Sequence, residues 1–133
     1  MMSILPKGPG YLPHWLLFIS VVSIFNSIQT YLSKDLKLTQ KVYNNTNEVT
    51  PLSARTFGTW TILSSILRFY GAYYLANQQV YELVLWTFFI AGVHFISEWL
   101  WYGTAKIGSG LLGPLIVSSV SITWMVSQRD FYI

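Results

Sequence analysis

Long runs without a charge constrain this chain more than any other feature. Between Lys7 and Lys34 lie 26 consecutive uncharged residues, and between Lys106 and Arg129 lie 22 more. Glu82 and Glu98 are 15 uncharged residues apart, and Arg68 is the single charge between Arg55 and Glu82. A helix needs about 20 mainly apolar residues to cross the hydrocarbon core of a bilayer. Four spans of that kind can be drawn: Leu12–Leu32, Thr56–Ala76, Val80–Tyr102 and Leu111–Ser127. In lipid each run must satisfy its backbone groups as a helix or as part of a closed barrel. The runs lack the strict alternation of barrel strands, so helices are expected. A water-soluble bundle fails, because such runs leave no polar face for water.

The expected fold is an all-α membrane protein: one integral membrane domain over residues 1–133, with four transmembrane helices in a compact bundle. The polar segment 33–55, with Asn44, Asn45, Asn47 and Pro51, is its one long loop. Asn77-Gln78-Gln79 reads as a tight turn, which makes the second and third helices an antiparallel hairpin. Gly103–Gly110 is a short loop. Pro13 and Pro114 fall near helix starts, where a missing N–H costs little. Trp15, Trp60, Trp99, Trp101 and Trp124 lie near span ends, as interface belts require. Residues 1–10 do not read as a cleavable signal, because the apolar stretch after Lys7 is too long and no small-residue cleavage site follows. Lys34, Lys37, Lys41, Arg55 and Lys106 sit on one side, against Lys7 and Arg129 on the other. The positive-inside rule then puts the long loop in the cytoplasm. The acceptor pattern Asn44-Asn45-Thr46 points the other way, since glycans are added on the far side.

Charged residues make up 10% of the chain, against about 25% in soluble domains. A net charge of +3, scattered along the chain, does not suit a phosphate backbone, so no nucleic-acid partner is expected. Cysteine is absent and the histidines are His14 and His94 alone. Disulfides, thiolate metal sites and cysteine nucleophiles are excluded, and a histidine-caged metal is not expected. No cofactor is expected. Gly108-Ser109-Gly110-Leu111-Leu112-Gly113 spells the dinucleotide fingerprint, but that motif needs a preceding strand and a βαβ unit. Here a loop precedes it and a membrane helix follows, so its glycines serve the turn.

Ionisable groups inside a span are costly and default to functional candidates. With the hairpin aligned about Gln78, Arg68 is level with Phe88, near the bilayer middle. Glu98 is level with Gly58, and His94 with Ile62. His94 and Glu98 are four residues apart and share a helical face. With Asn26, Gln29 and Arg55 they can form a polar cluster at one end of the bundle. One reading is an acid–base pair acting on a membrane-dissolved substrate. The other is a helix-locking network in which Glu98 pairs with Arg55. Arg68 can snorkel, meet an acidic group of a partner protein or bond carbonyls of a neighbouring helix, and Glu82 is its candidate mate within the chain. The small pairs Ser23/Ser27, Ala72/Ala76 and Ser119/Thr123 would let helices approach closely.

The run Leu52-Ser53-Ala54-Arg55-Thr56-Phe57-Gly58-Thr59-Trp60-Thr61 resembles the signature of the ergosterol biosynthetic protein 28 family. Asn26-Ser27-Ile28-Gln29-Thr30, Arg68-Phe69-Tyr70-Gly71, His94-Phe95-Ile96-Ser97-Glu98 and Gly113-Pro114-Leu115 resemble it in the same order. The resemblance runs from about Gly10 to Tyr132 and is nearest to fungal members; the extension before Pro6 is short. It implies a non-catalytic, multi-pass protein of the endoplasmic reticulum membrane. The implied partners are the sterol C-4 methyl oxidase, the decarboxylating C-3 sterol dehydrogenase and the 3-keto sterol reductase, with sterol C-24 methyltransferase as a further associate. No catalytic residue is implied. Asn26, Gln29, Arg55, Arg68, His94 and Glu98 are then candidates for shaping a docking surface. Self-association stays open. Two rival readings remain at this point: a sterol isomerase-like enzyme using His94 and Glu98, and a small four-helix transporter. The transporter class needs a mid-membrane carboxylate, which the first span lacks.

Overall fold

The computed structural model describes residues 10–32 and 36–133. Lys7, Lys34 and the N-terminal segment weighed as a signal lie outside or largely outside the described residues. The described residues form six helices and no strand: α1 Leu12–Leu32, α2 Lys37–Val42, α3 Pro51–Tyr74, α4 Gln78–Leu100, α5 Ser109–Ser127 and α6 Arg129–Tyr132.

The first span matches the expected bounds, and the others differ at their caps. Helix α3 begins five residues before Thr56. Thr50 Oγ1 accepts from the Ser53 N–H at 3.1 Å, Ser53 Oγ accepts from the Thr50 N–H at 2.8 Å, and Pro51 opens the first turn. This reciprocal cap satisfies two N–H groups that a helix start leaves orphaned. Asn77 caps α4, its side chain accepting from the Val80 N–H at 3.2 Å, so α4 starts at Gln78 rather than Val80. Gly103, with φ +69°, turns the chain beyond α4. The segment 33–55 is not a single loop, since it contains α2 and the first turn of α3.

Helix α1 packs along α3 through a row of hydroxyls. Ser65 Oγ donates to Ser23 Oγ at 2.7 Å, Ser27 Oγ and Thr61 Oγ1 share a bond of 2.7 Å, and Tyr31 bonds Thr59. A Cβ on Gly58 would overlap Thr30 Oγ1 and come within 3.0 Å of the Ser27 carbonyl oxygen. Gly71 gives α4 the same closeness at Val84. Of the small pairs, Ser23/Ser27 faces α3, whereas Ser119 and Thr123 face outward. Leu12, Leu16, Tyr81, Phe88 and Met125 form a buried cluster at one end of the bundle, and Val42, Phe95, Ala105 and Leu111 form another toward the other end.

Helices α1 and α4, and Gly110–Ser127 of α5, are long and apolar enough to cross a membrane. Helix α3 has 24 residues but is less apolar, because it carries Arg55, Arg68 and its share of the hydroxyl row. Phe18, Phe25, Leu63, Trp86, Ile90 and Val93 are all exposed on helix surfaces. Water would penalise so much apolar surface, whereas lipid solvates it.

Candidate functional site

Two connections meet at one end of the bundle. The Lys106 N–H donates to Asn44 Oδ1 at 2.7 Å, and Asn44 Nδ2 donates back to the Lys106 carbonyl at 3.3 Å. Asn45 Nδ2 donates to the Gly103 carbonyl at 2.6 Å, and the Asn45 N–H to the Thr104 carbonyl at 3.0 Å. These asparagines clasp the segment before α3 to the loop between α4 and α5. A glycan on Asn44 would take the place of a hydrogen on Nδ2, so the acceptor pattern falls on an atom the fold already uses. Beside the clasp, α2 touches α5, where a Cβ on Gly110 would overlap the Lys41 backbone. This close approach accounts for one glycine of the false dinucleotide motif.

Under the clasp lie His94 and Glu98, and they are not bonded to each other. The Tyr43 hydroxyl and His94 Nε2 share a hydrogen bond of 2.7 Å. Thr104 Oγ1 donates to Glu98 Oε1 at 2.6 Å, and the Ala105 N–H donates to the Glu98 carbonyl at 3.2 Å. Tyr43, Trp60 and Phe95 surround the imidazole edge to face, with Trp60 5.4 Å and Phe95 5.0 Å from it, and Phe57 packs edge-on against Tyr43. Both α4 groups therefore fasten connecting segments to the helix.

The rest of the predicted cluster does not assemble. Arg55 is exposed and makes no ion pair with Glu98 among the described residues. At the start of α3 its guanidinium reaches water, and there an ion pair gains little. Asn26 is exposed on the wall of a cavity between the helices, and Gln29 is half-buried on α1. Arg68 is buried: its Nε donates to Thr87 Oγ1 at 3.0 Å, and its guanidinium lies 4.1 Å from the Phe88 ring centroid. The alignment about Gln78 foresaw that level. Glu82 is not its mate, because Arg129 Nη2 takes Glu82 Oε1 at 2.7 Å. Arg129 lies just past α5, at the same end as Glu82, whereas Arg68 is deeper in the bundle. Sequence reasoning missed Tyr43, Asn44 and Asn45; the cue available was an aromatic and two amides together in a segment otherwise read as loop. Among the described residues no three His, Cys, Asp or Glu side chains converge as a metal site would require.

Burial first, and the Glu98 carboxylate second, push the Tyr43 hydroxyl above its ordinary value of 10.0. An acid whose folded value is raised favours folding in its neutral form. That contribution is full below the ordinary value and fades as pH climbs through the folded one. In an alkaline titration followed by ultraviolet absorbance, Tyr43 is expected to ionise late, and Tyr43→Phe should shrink the late absorbance step by one tyrosinate. An unchanged titration in the variant would contradict the placement of Tyr43.

The profile of the family described as "Erg28 like protein" matches residues 12–123. The chain belongs to this family. Ergosterol biosynthetic protein 28 of Candida albicans is 65% identical over 133 residues, covering 98% of this chain and 95% of its own length. The protein of the same name from Saccharomyces cerevisiae is 54% identical over 132 residues, covering 98% and 87%. The human ergosterol biosynthetic protein 28 homolog is 42% identical over 113 residues, covering 84% and 80%. No solved structure matches the chain. The family match spans α1 to α4 and most of α5, and so takes in the Tyr43–His94 contact, the asparagine clasp and the Arg68 environment.

Proposed function

We propose that this chain acts in ergosterol biosynthesis as a non-catalytic scaffold of the endoplasmic reticulum membrane. In this reading it crosses the bilayer four times, with α3 and α4 as an antiparallel hairpin and the clasped end in the cytoplasm. It tethers the sterol C-4 methyl oxidase, the decarboxylating C-3 sterol dehydrogenase and the 3-keto sterol reductase, with sterol C-24 methyltransferase as a further associate.

The observation that carries the reading is the use made of His94 and Glu98. They are the residues best suited to acid–base work, and each is committed to holding a connecting segment, at Tyr43 and at Thr104. Three further facts support it. The relatives are named as ergosterol biosynthetic proteins over most of their length. The helices expose wide apolar faces, which membrane partners can grip. Sterol intermediates dissolve poorly in water, so holding successive enzymes together raises the concentration at which each meets the previous product. Arg55, exposed at the clasped end, is the proposed polar contact for a partner; Glu98, His94 and Arg68 shape the surface from within, and Asn26 and Gln29 flank it on α1.

Co-purification tests this. The three enzymes are expected to come down with tagged chain from detergent-solubilised microsomes, and Arg55→Glu should weaken at least one of them while the chain stays folded. Turnover of a 4-methyl sterol by the purified chain alone would overturn the non-catalytic reading.

A further inference from the structure

Arg68 is a cation in the bundle interior that no anion among the described residues meets. Its side chain is 8% exposed, and no carboxylate among the described residues pairs with it. Nε donates to Thr87 Oγ1 at 3.0 Å and Nη2 to the Thr87 carbonyl at 3.4 Å. A guanidinium has five N–H donors in a planar fork, so Thr87 leaves donors over. A buried ion without a counter-charge is costly, and more so at membrane depth.

The exposed part of Arg68 lines a cavity of about 440 Å³ between α1, α3, α4 and α5. That volume is in the range of small-molecule sites. Trp15 closes one end, donating from Nε1 to Ser121 Oγ at 2.9 Å and leaning on Trp124. At the other end α2 lies against α5. Between these closures α1 and α5 barely touch, and Phe18 and Val22 on the rim are exposed, so the cavity opens sideways toward hydrocarbon. Its α1 wall runs from Trp15 to Thr30, a length of roughly 22 Å at 1.5 Å per residue. Ser64, one turn before Arg68 on the same face of α3, also lines the cavity and has no hydrogen-bond partner among the described residues.

We propose that this cavity binds a sterol acid: a fused-ring hydrocarbon body carrying one carboxylate, with the carboxylate on Arg68 and Ser64 and the body along the α1–α5 opening. The carboxylate follows from Arg68, since a guanidinium fork matches it with two parallel bonds. The apolar body follows from the walls. The choice of a sterol over a fatty acid, which shares the carboxylate, rests on the function proposed above. The occupant stabilises the bundle by supplying the missing counter-charge, and the scaffold thereby holds an anionic intermediate as well as the enzymes.

Native mass spectrometry of the full chain in detergent tests this with three probes: cholesteryl hemisuccinate, cholesterol and oleate. The hemisuccinate is expected to bind about tenfold tighter than cholesterol, as one charge-assisted contact implies. Arg68→Gln should remove that difference and Arg68→Lys should keep most of it. Ser64→Leu, which fills the cavity and breaks no hydrogen bond, should weaken both sterols while leaving the fold intact by circular dichroism. Equal binding of hemisuccinate and cholesterol to the native chain, or an unaltered preference in a folded Arg68→Gln protein, would overturn the carboxylate site. Oleate binding as tightly as the hemisuccinate would overturn the sterol body. Each result is read without the enzymes, so failure here is distinct from failure of co-purification.

Discussion

Gly58→Val is expected to melt far below the native chain. A Cβ at this position overlaps Thr30 Oγ1 and approaches the Ser27 carbonyl oxygen at 3.0 Å. Thr30 cannot swing aside without loss, because its hydroxyl donates to that same carbonyl at 2.6 Å. The backbone of α1 must retreat, and the hydroxyl row from Ser23–Ser65 to Tyr31–Thr59 opens with it. Overpacking a close-fitted contact costs about 1–3 kcal/mol, and here the obstructing atom is backbone, which places the effect at the upper end. Gly113→Ala is the control, since nothing lies within 4 Å of its added methyl. Thermal melts in detergent should show a large drop for Gly58→Val and none for Gly113→Ala. Equal melting of the two variants would refute the α1–α3 seam.

The double variant Asn44→Ala/Asn45→Ala should free the clasped end without opening the seam. It removes three side-chain hydrogen bonds, to the Lys106 N–H, the Lys106 carbonyl and the Gly103 carbonyl. At about 0.5–1.5 kcal/mol each, discounted for exposure, the loss is about 1–3 kcal/mol. Amide hydrogen exchange should speed up over 103–106 and 43–46 while α1 and the middle of α3 stay protected. Because Thr104, which holds Glu98, belongs to the clasped loop, enzyme co-purification should fall as well. Unchanged exchange over 103–106 would show that the asparagines do not hold the loop.

The sequence revealed the membrane-spanning character and the family more readily than the helix ends or the partners of its ions. Charge-free runs report the thickness of an apolar slab, so they placed α1 well and cut α3 short at Arg55. The true start of α3 is a matter of capping chemistry, Thr50 and Ser53 with Pro51, which extends beyond the apolar run. Helix α2 escaped notice because six residues have too little apolar periodicity to stand out. Arg68 was set at the right level against Phe88, since two helices joined by a short turn stay in register. A carbonyl of the neighbouring helix does receive it, at Thr87, whereas the Glu82 pairing failed because nothing in the sequence says that Arg129, just beyond α5, reaches Glu82 first. His94 and Glu98 share a face as their spacing requires, yet their partners Tyr43 and Thr104 come from segments whose path only the fold determines.

Crosslinking in intact native membranes, followed by identification of the captured proteins, bears most directly on the tether. The sterol C-4 methyl oxidase, the C-3 dehydrogenase and the 3-keto reductase are expected to be captured together through this chain. Efficient capture of other membrane proteins, with none of those three enzymes among them, would contradict the tether.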